Sequence, residues 1–135
     1  MNDLISYLLN YAFDHGISYS LVYEDPDYPS AAFPEKRFIV INMNCKNPKE
    51  LPFIIGHEIG HIMNGDDGLQ FYCDTVSTSV EHHADLKSLK VIFDYAALQY
   101  DSFNEPIQFM QQYGIPYRML NDTAKLFRDN DDLFF

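Results

Sequence analysis

Phe53-Ile54-Ile55-Gly56-His57-Glu58-Ile59-Gly60-His61 sets two histidines four residues apart, with a glutamate directly after the first. This is the H-E-x-x-H pattern of zinc-dependent hydrolases. In an α-helix, residues four apart share one face, about 6 Å apart along the axis. Two imidazoles so placed can converge on one metal ion at about 2.0–2.1 Å each. Glu58 falls beside such an ion and not on it, where a carboxylate can take a proton from the attacking water.

The flanking residues favour a helix. Asn47-Pro48-Lys49-Glu50 reads as its start, with Asn47 as N-cap, Pro48 in the first turn and Glu50 reaching back to complete a capping box. Pro52 removes one helical hydrogen bond, so the regular helix can begin as late as that residue. Leu51, Ile54, Ile55, Ile59, Ile62 and Met63 follow at helical spacing and need burial. Asn64-Gly65 ends the segment, because either residue tolerates a left-handed C-cap. Gly56 and Gly60 each cost about 1 kcal/mol of helix propensity against Ala, which points to another backbone packed close beside them.

A catalytic zinc commonly takes three protein ligands and leaves its fourth position to water. Two residues could supply the third. Asp67 lies six residues after His61, where extended forms of the motif carry a ligand, but those forms need glycine at 64, and here Asn64 precedes Gly65. Gly65-Asp66-Asp67-Gly68 also reads as an ordinary polar turn. Glu81 opens Glu81-His82-His83-Ala84-Asp85, read as the start of a second helix that crosses the first and presents Glu81 and Asp85 on one face. Glu81 would then bind the metal, and Asp85 would accept the second ring N–H of a ligating histidine. Thr78-Ser79-Val80-Glu81 is equally a capping box, in which Glu81 only caps its helix. His82 and His83 could replace Glu81 or donate to a developing oxyanion, although a surface position is the plainer reading of each. Zinc ligation by Cys73 has no spacing argument behind it.

The run from Phe38-Ile39-Val40-Ile41-Asn42 through the H-E-x-x-H helix to Glu81-His82-His83-Ala84-Asp85 resembles the ImmA/IrrE family of metallo-endopeptidases. The resemblance covers about residues 1–100 and rests on three motifs in order, a more specific signal than H-E-x-x-H alone. It implies a zincin-like domain with one zinc per chain, held by His57, His61 and a gluzincin-like third ligand, Glu81, with Glu58 as general base. It also implies a phage or mobile-element protein that cleaves a helix-turn-helix repressor. The sequence departs from the family in running on into Lys87-Ser88-Leu89-Lys90, where relatives often carry small apolar residues, and in lacking a fused DNA-binding domain.

At 135 residues and a net charge of −11, the chain reads as one domain, residues 1–135, with no positive footprint for direct nucleic-acid binding. Acidity could favour a basic partner. Cys45 and Cys73 lack C-x-x-C spacing and suit a reduced, cytoplasmic protein. The N-terminus has neither the basic start of a signal peptide nor the apolar length of a membrane span.

The pattern predicts an α+β fold. Leu4, Ile5, Leu8, Leu9, Ala12 and Phe13 form the stripe of an N-terminal helix ended by Gly16. Residues 17–23 alternate as a strand. Residues 31–33 and 37–41 read as a hairpin around Pro34-Glu35-Lys36 in a short, mostly antiparallel sheet. The strand at 37–42 is apolar on both faces, hence central or covered. An irregular link at 65–77 leads to a long helix at about 79–100. Ser102-Phe103-Asn104-Glu105 caps a short helix ended by Gly114, and Pro116 opens a last helix to about Arg128, followed by a frayed tail at 129–135. Packing of Phe134 and Phe135 on a groove is the sharper reading of that tail. Many of the ten Tyr and eleven Phe fall at helical core spacing. Tyr72 could donate to a tetrahedral intermediate, though a plain cleft-wall aromatic fits it as well.

The expected chemistry is zinc-assisted hydrolysis of a peptide bond; the zincin-like fold that the resemblance implies would receive the substrate as an added strand at an exposed edge, for which residues 30–34 are the candidate. The alternatives are a zinc-holding module that sequesters a regulator without cutting it, and a hydrolase of other amides. The intact Glu58 argues against the first, since a structural zinc needs no general base.

Overall fold

The computed structural model describes residues 2–72, 78–99 and 103–130. Helix α1 (Asn2–Asp14) leads into β1 (Ser18–Val22), β2 (Ala31–Phe33) and β3 (Phe38–Asn42). Then come α2 (Leu51–Met63), β4 (Gln70–Phe71), α3 (Ser79–Leu98), α4 (Pro106–Tyr113) and α5 (Leu120–Asp129). The sheet runs β1-β3-β2-β4, with β1 parallel to β3 and the other two pairings antiparallel. This is the expected α+β architecture, with β3 central as its two apolar faces require. One side of the sheet packs on α2, and α3 lies across α2.

Asn42 closes β3 and, with its whole amide, ties the loop between β1 and β2 to the turn that follows β3. Its Nδ2 donates to the carbonyls of Asp25 and Tyr28 at 2.9 Å each, while Oδ1 accepts from the backbone of Glu24 and Asn44. A buried amide with every hydrogen-bonding position used is stable where a partly satisfied one is costly.

Helix α2 is enclosed on all sides, with every residue from Leu51 to Ile62 buried. It is a core helix more than an amphipathic one, and its polar residues sit inside the protein. It begins at Leu51, after a 3-10 turn over Pro48–Glu50. The Asn47 half of the predicted capping box is not formed, since the Asn47 side chain makes no cap bond and its Nδ2 donates to Glu50 Oε2 at 3.2 Å. At the other end Asp66 N donates to His61 O, Gly65 N donates to Ile62 O, and Gly65 has φ +71°. This pair of bonds is a Schellman closure, which folds the chain back over the last turn.

The glycines of α2 let α3 approach. A Cβ on Gly60 would lie 2.8 Å from Ala84 O and 3.0 Å from Ala84 Cα, and one on Gly56 would collide with Ser88. Ser88 Oγ donates to Phe53 O at 2.7 Å and ties the two helices together. Gly60→Ala is therefore expected to destabilise the fold. Overpacking against backbone costs about 1–3 kcal/mol or more, against about 1 kcal/mol of helix propensity gained. A thermal melt equal to or above wild type would show that the helices separate freely.

Four sequence expectations need correction. Residues 30–34 are not the sheet's edge, because β4 covers β2 through Ala31↔Phe71 and Ala32↔Gln70, continued by Tyr72 N donating to Ser30 O at 2.8 Å. Among the described residues the sheet's edges are β1 and β4, the latter hidden inside the supposedly irregular link because two residues carry no readable period. Phe13 is 77% exposed and leaves the α1 stripe to Leu4, Leu8 and Ala12. The N-cap of α4 is Glu105, without a side-chain cap, and Ser102 lies outside the described residues. The last helix begins at Leu120, after a 3-10 turn over Tyr117–Met119. Cys73, Phe134 and Phe135 also lie outside the described residues, and Cys45 is a free, half-buried thiol.

Candidate metal centre

His57 and His61 project from one face of α2, and Glu81 meets them from the first turn of α3. Their Nε2 atoms are 3.1 Å apart, and Glu81 places Oε1 3.4 Å from His57 Nε2 and Oε2 2.9 Å from His61 Nε2. Three corners of a tetrahedron around an ion with bonds of about 2.0–2.1 Å stand about 3.3 Å apart, so these spacings fit. The three side chains form a group able to hold a metal ion.

The other ring nitrogens decide what the site accepts. His57 Nδ1 lies 2.8 Å from Asp85 Oδ1, and His61 Nδ1 lies 2.8 Å from Asp66 Oδ2. In the neutral rings each Nδ1–H donates to its carboxylate, leaving an Nε2 lone pair aimed at the common point. Glu81 Oε2 is buried there without a hydrogen bond, short as its contact with His61 is. Lone pairs converging on one point repel unless a cation stands among them.

In the metal-free protein a proton on His57 takes the place of that cation. Burial alone would lower the His57 imidazole, but the hydrogen bonds to Asp85 and Glu81 and the charge on Glu58 outweigh it and raise the ring to about 9. Burial opposes ionisation of Glu81 and Asp85, yet hydrogen bonding to His57 holds both below their ordinary values, helped at Asp85 by Arg118. A metal ion must displace the His57 proton. Metal affinity is therefore expected to fall by up to tenfold per pH unit below about 9, and a flat binding profile across neutral pH would remove His57 from the ligands. Asp85→Ala is expected to weaken metal binding about 10–100-fold without abolishing it, as read by chelator competition.

Glu58 is fully buried and feels the charges of His57 and Glu81, and neither carboxylate oxygen has a hydrogen-bond partner among the described residues. Burial pushes its carboxyl up to about 8, with the His57 charge pulling the other way. Tyr72 packs its ring edge-on to His57 at 5.0 Å, and burial raises its phenol to about 12, so it stays a donor.

Asp67 is exposed, and its backbone carbonyl accepts from Gln70. His82 and His83 are exposed, and His82 faces Asp122 at 3.6 Å, so neither joins the ligand group. Sequence reasoning missed Asp66 and Arg118. Asp66 was findable, because a Schellman closure at Gly65 returns the next residue to the helix's last turn.

The family model for peptidase family M48 matches residues 15–109, and the chain belongs to that family, whose members are metal-dependent. No curated protein and no solved structure shows significant similarity to it. Among the described residues, no helix is long and apolar enough to cross a membrane.

Proposed function

We propose that this M48-family chain is a zinc endopeptidase, with His57, His61 and Glu81 holding the ion and Glu58 as general base. The observation that carries this reading is the pairing of converging lone pairs with a buried, unpartnered carboxyl beside them. Two imidazoles and a carboxylate are a donor set suited to zinc. When bound, the ion supplies Lewis acidity toward a peptide carbonyl and a nucleophile at neutral pH. Glu58, whose carboxyl the bound ion's charge would draw back from about 8 toward its ionised form, takes one proton from the attacking water as its oxygen bonds to the carbonyl carbon. It gives that proton to the amine as the C–N bond breaks. Tyr72, edge-on to His57, would be the donor to the oxygen that becomes negative on the way. The outer edge of β4, whose Phe71 is exposed like Leu69 just before the strand, is where an extended substrate would add as a strand.

The substrate we propose is a helix-turn-helix repressor met in the cytoplasm. The ordered motifs shared with ImmA/IrrE proteins support this, as does a net charge of −11 facing a basic DNA-binding protein. Incubating the zinc-loaded protein with the repressor encoded nearest its gene, with and without chelator, tests it by mass spectrometry of fragments. Chelator-sensitive cutting at one or a few bonds is expected. Tight binding without cutting would favour the sequestering module instead.

A further inference from the structure

We propose that Arg118 is a positioning residue of the metal centre, clamping Asp85 in the orientation that turns Nε2 of His57 toward His61 and Glu81. This rests on the reading of those three residues as metal ligands. Arg118 lies on the 3-10 turn before α5, beyond the stretch matched by the peptidase family model. The C-terminal part of the chain therefore contributes to a centre whose three-residue ligand group comes from α2 and α3.

The contacts form one connected set. Arg118 Nε donates to Asp85 Oδ2 at 3.2 Å and Nη2 to Asp85 Oδ1 at 3.0 Å. Two prongs fix the plane of a carboxylate, which one bond does not. Oδ1 is the oxygen that faces His57 Nδ1 at 2.8 Å. The guanidinium is held in turn by Tyr72, whose hydroxyl accepts from Nη2 at 3.3 Å, and by the Phe53 ring, 5.5 Å below it. Phe53 precedes His57 by one turn of α2, and the Tyr72 ring meets His57 edge-on. Two of the groups that Arg118 grips, Asp85 and Tyr72, therefore also bear on His57. Burial would lower the guanidinium's affinity for its proton, but Asp85 and Tyr72 raise it, so the clamp keeps its charge at any working pH.

Electrostatics by itself predicts the opposite effect. A cation beside a metal site repels the metal, so removing Arg118 as a bare charge should tighten binding. Removing it as a clamp should loosen binding, because Asp85 then turns and His57 loses its set tautomer.

Zinc affinity of the full chain, measured by competition with a chromophoric chelator, separates the two. The proteins are wild type, Arg118→Met, Arg118→Lys, and Arg118→Met combined with Asp85→Asn, with metal-free melting curves taken in parallel. Arg118→Met keeps an apolar stem over Phe53 and is expected to weaken zinc binding by about tenfold or more. Arg118→Lys should recover little of this, since an ammonium cannot grip both oxygens. In the Asp85→Asn background, Arg118→Met should have no further effect. Unchanged or tighter binding in Arg118→Met overturns the proposal. A loss that persists at full size without Asp85 also overturns it, marking Arg118 as a fold anchor only. Wild-type protein that fails to bind zinc would bring down the metal-centre reading itself.

Discussion

Glu58→Gln is expected to keep the fold, the zinc and any affinity for the substrate, while cleaving about 10²–10⁴-fold more slowly or not detectably. The reason is confined to one atom. Glu58 is not in the ligand group, so the ion's holders are untouched. Glutamine has nearly the same shape, yet its amide cannot accept the proton that the attacking water must lose. Zinc content by elemental analysis and fragment yield by mass spectrometry are to be measured on the same preparations. Equal cutting by both forms would remove Glu58 from the chemistry and point to a contaminating protease. Loss of zinc together with activity would show that the substitution acts through the fold.

The same substitution has a stability signature with a definite sign. The Glu58 carboxyl, ordinarily near 4.5, is pushed up to about 8 in the folded, metal-free protein. Between those values the unfolded chain ionises while the folded one holds its proton. Folded wild type therefore loses stability as pH rises through that window, and below about 4.5 this loss is absent. Glutamine carries no such dependence. The melting temperature of metal-free wild type should thus fall relative to Glu58→Gln from about pH 4.5 to about pH 8.

How far the site could be read in advance depended on whether its geometry was local. His57, Glu58 and His61 share one helix, and helical spacing dictates their faces before any packing is known. Gly56 and Gly60 announced a close neighbour, and Ala84 and Ser88 are that neighbour. Glu81 was ambiguous because two local readings competed, and the structure gives each half of the residue to one of them. Thr78 Oγ1 accepts from the Glu81 backbone N–H at 3.2 Å, while the Glu81 carboxylate turns inward to the histidines. Asp66 depended on recognising how a helix ends. Arg118 was out of reach, since its bond to Asp85 spans 33 residues and exists only once α4 and α5 have packed. For the same reason β4 was missed, a strand of two residues that owes its form to its partner β2.

Glu81→Ala is expected to abolish tight zinc binding, and Asp67→Ala to leave it intact. The two acids competed on sequence because each stands at a spacing where a third ligand is found. In the structure Glu81 is 8% exposed with both oxygens toward the histidines, whereas Asp67 is on the surface. Two imidazoles alone leave a metal two open corners, and the loss should be at least as large as the 10–100-fold expected for Asp85→Ala. Stability separates ligand from fold. In excess zinc, wild type and Asp67→Ala should melt at higher temperature than their metal-free forms, by mass action. Glu81→Ala should show no such shift, and its metal-free melt should stay close to wild type, because Thr78 can still cap α3 through the backbone of residue 81. The reverse pattern, zinc lost with Asp67 and kept without Glu81, would mean that the chain turns back after Gly65 to bring Asp67 in. The Schellman closure, which directs Asp66 and not Asp67 onto His61, would then be wrong as well.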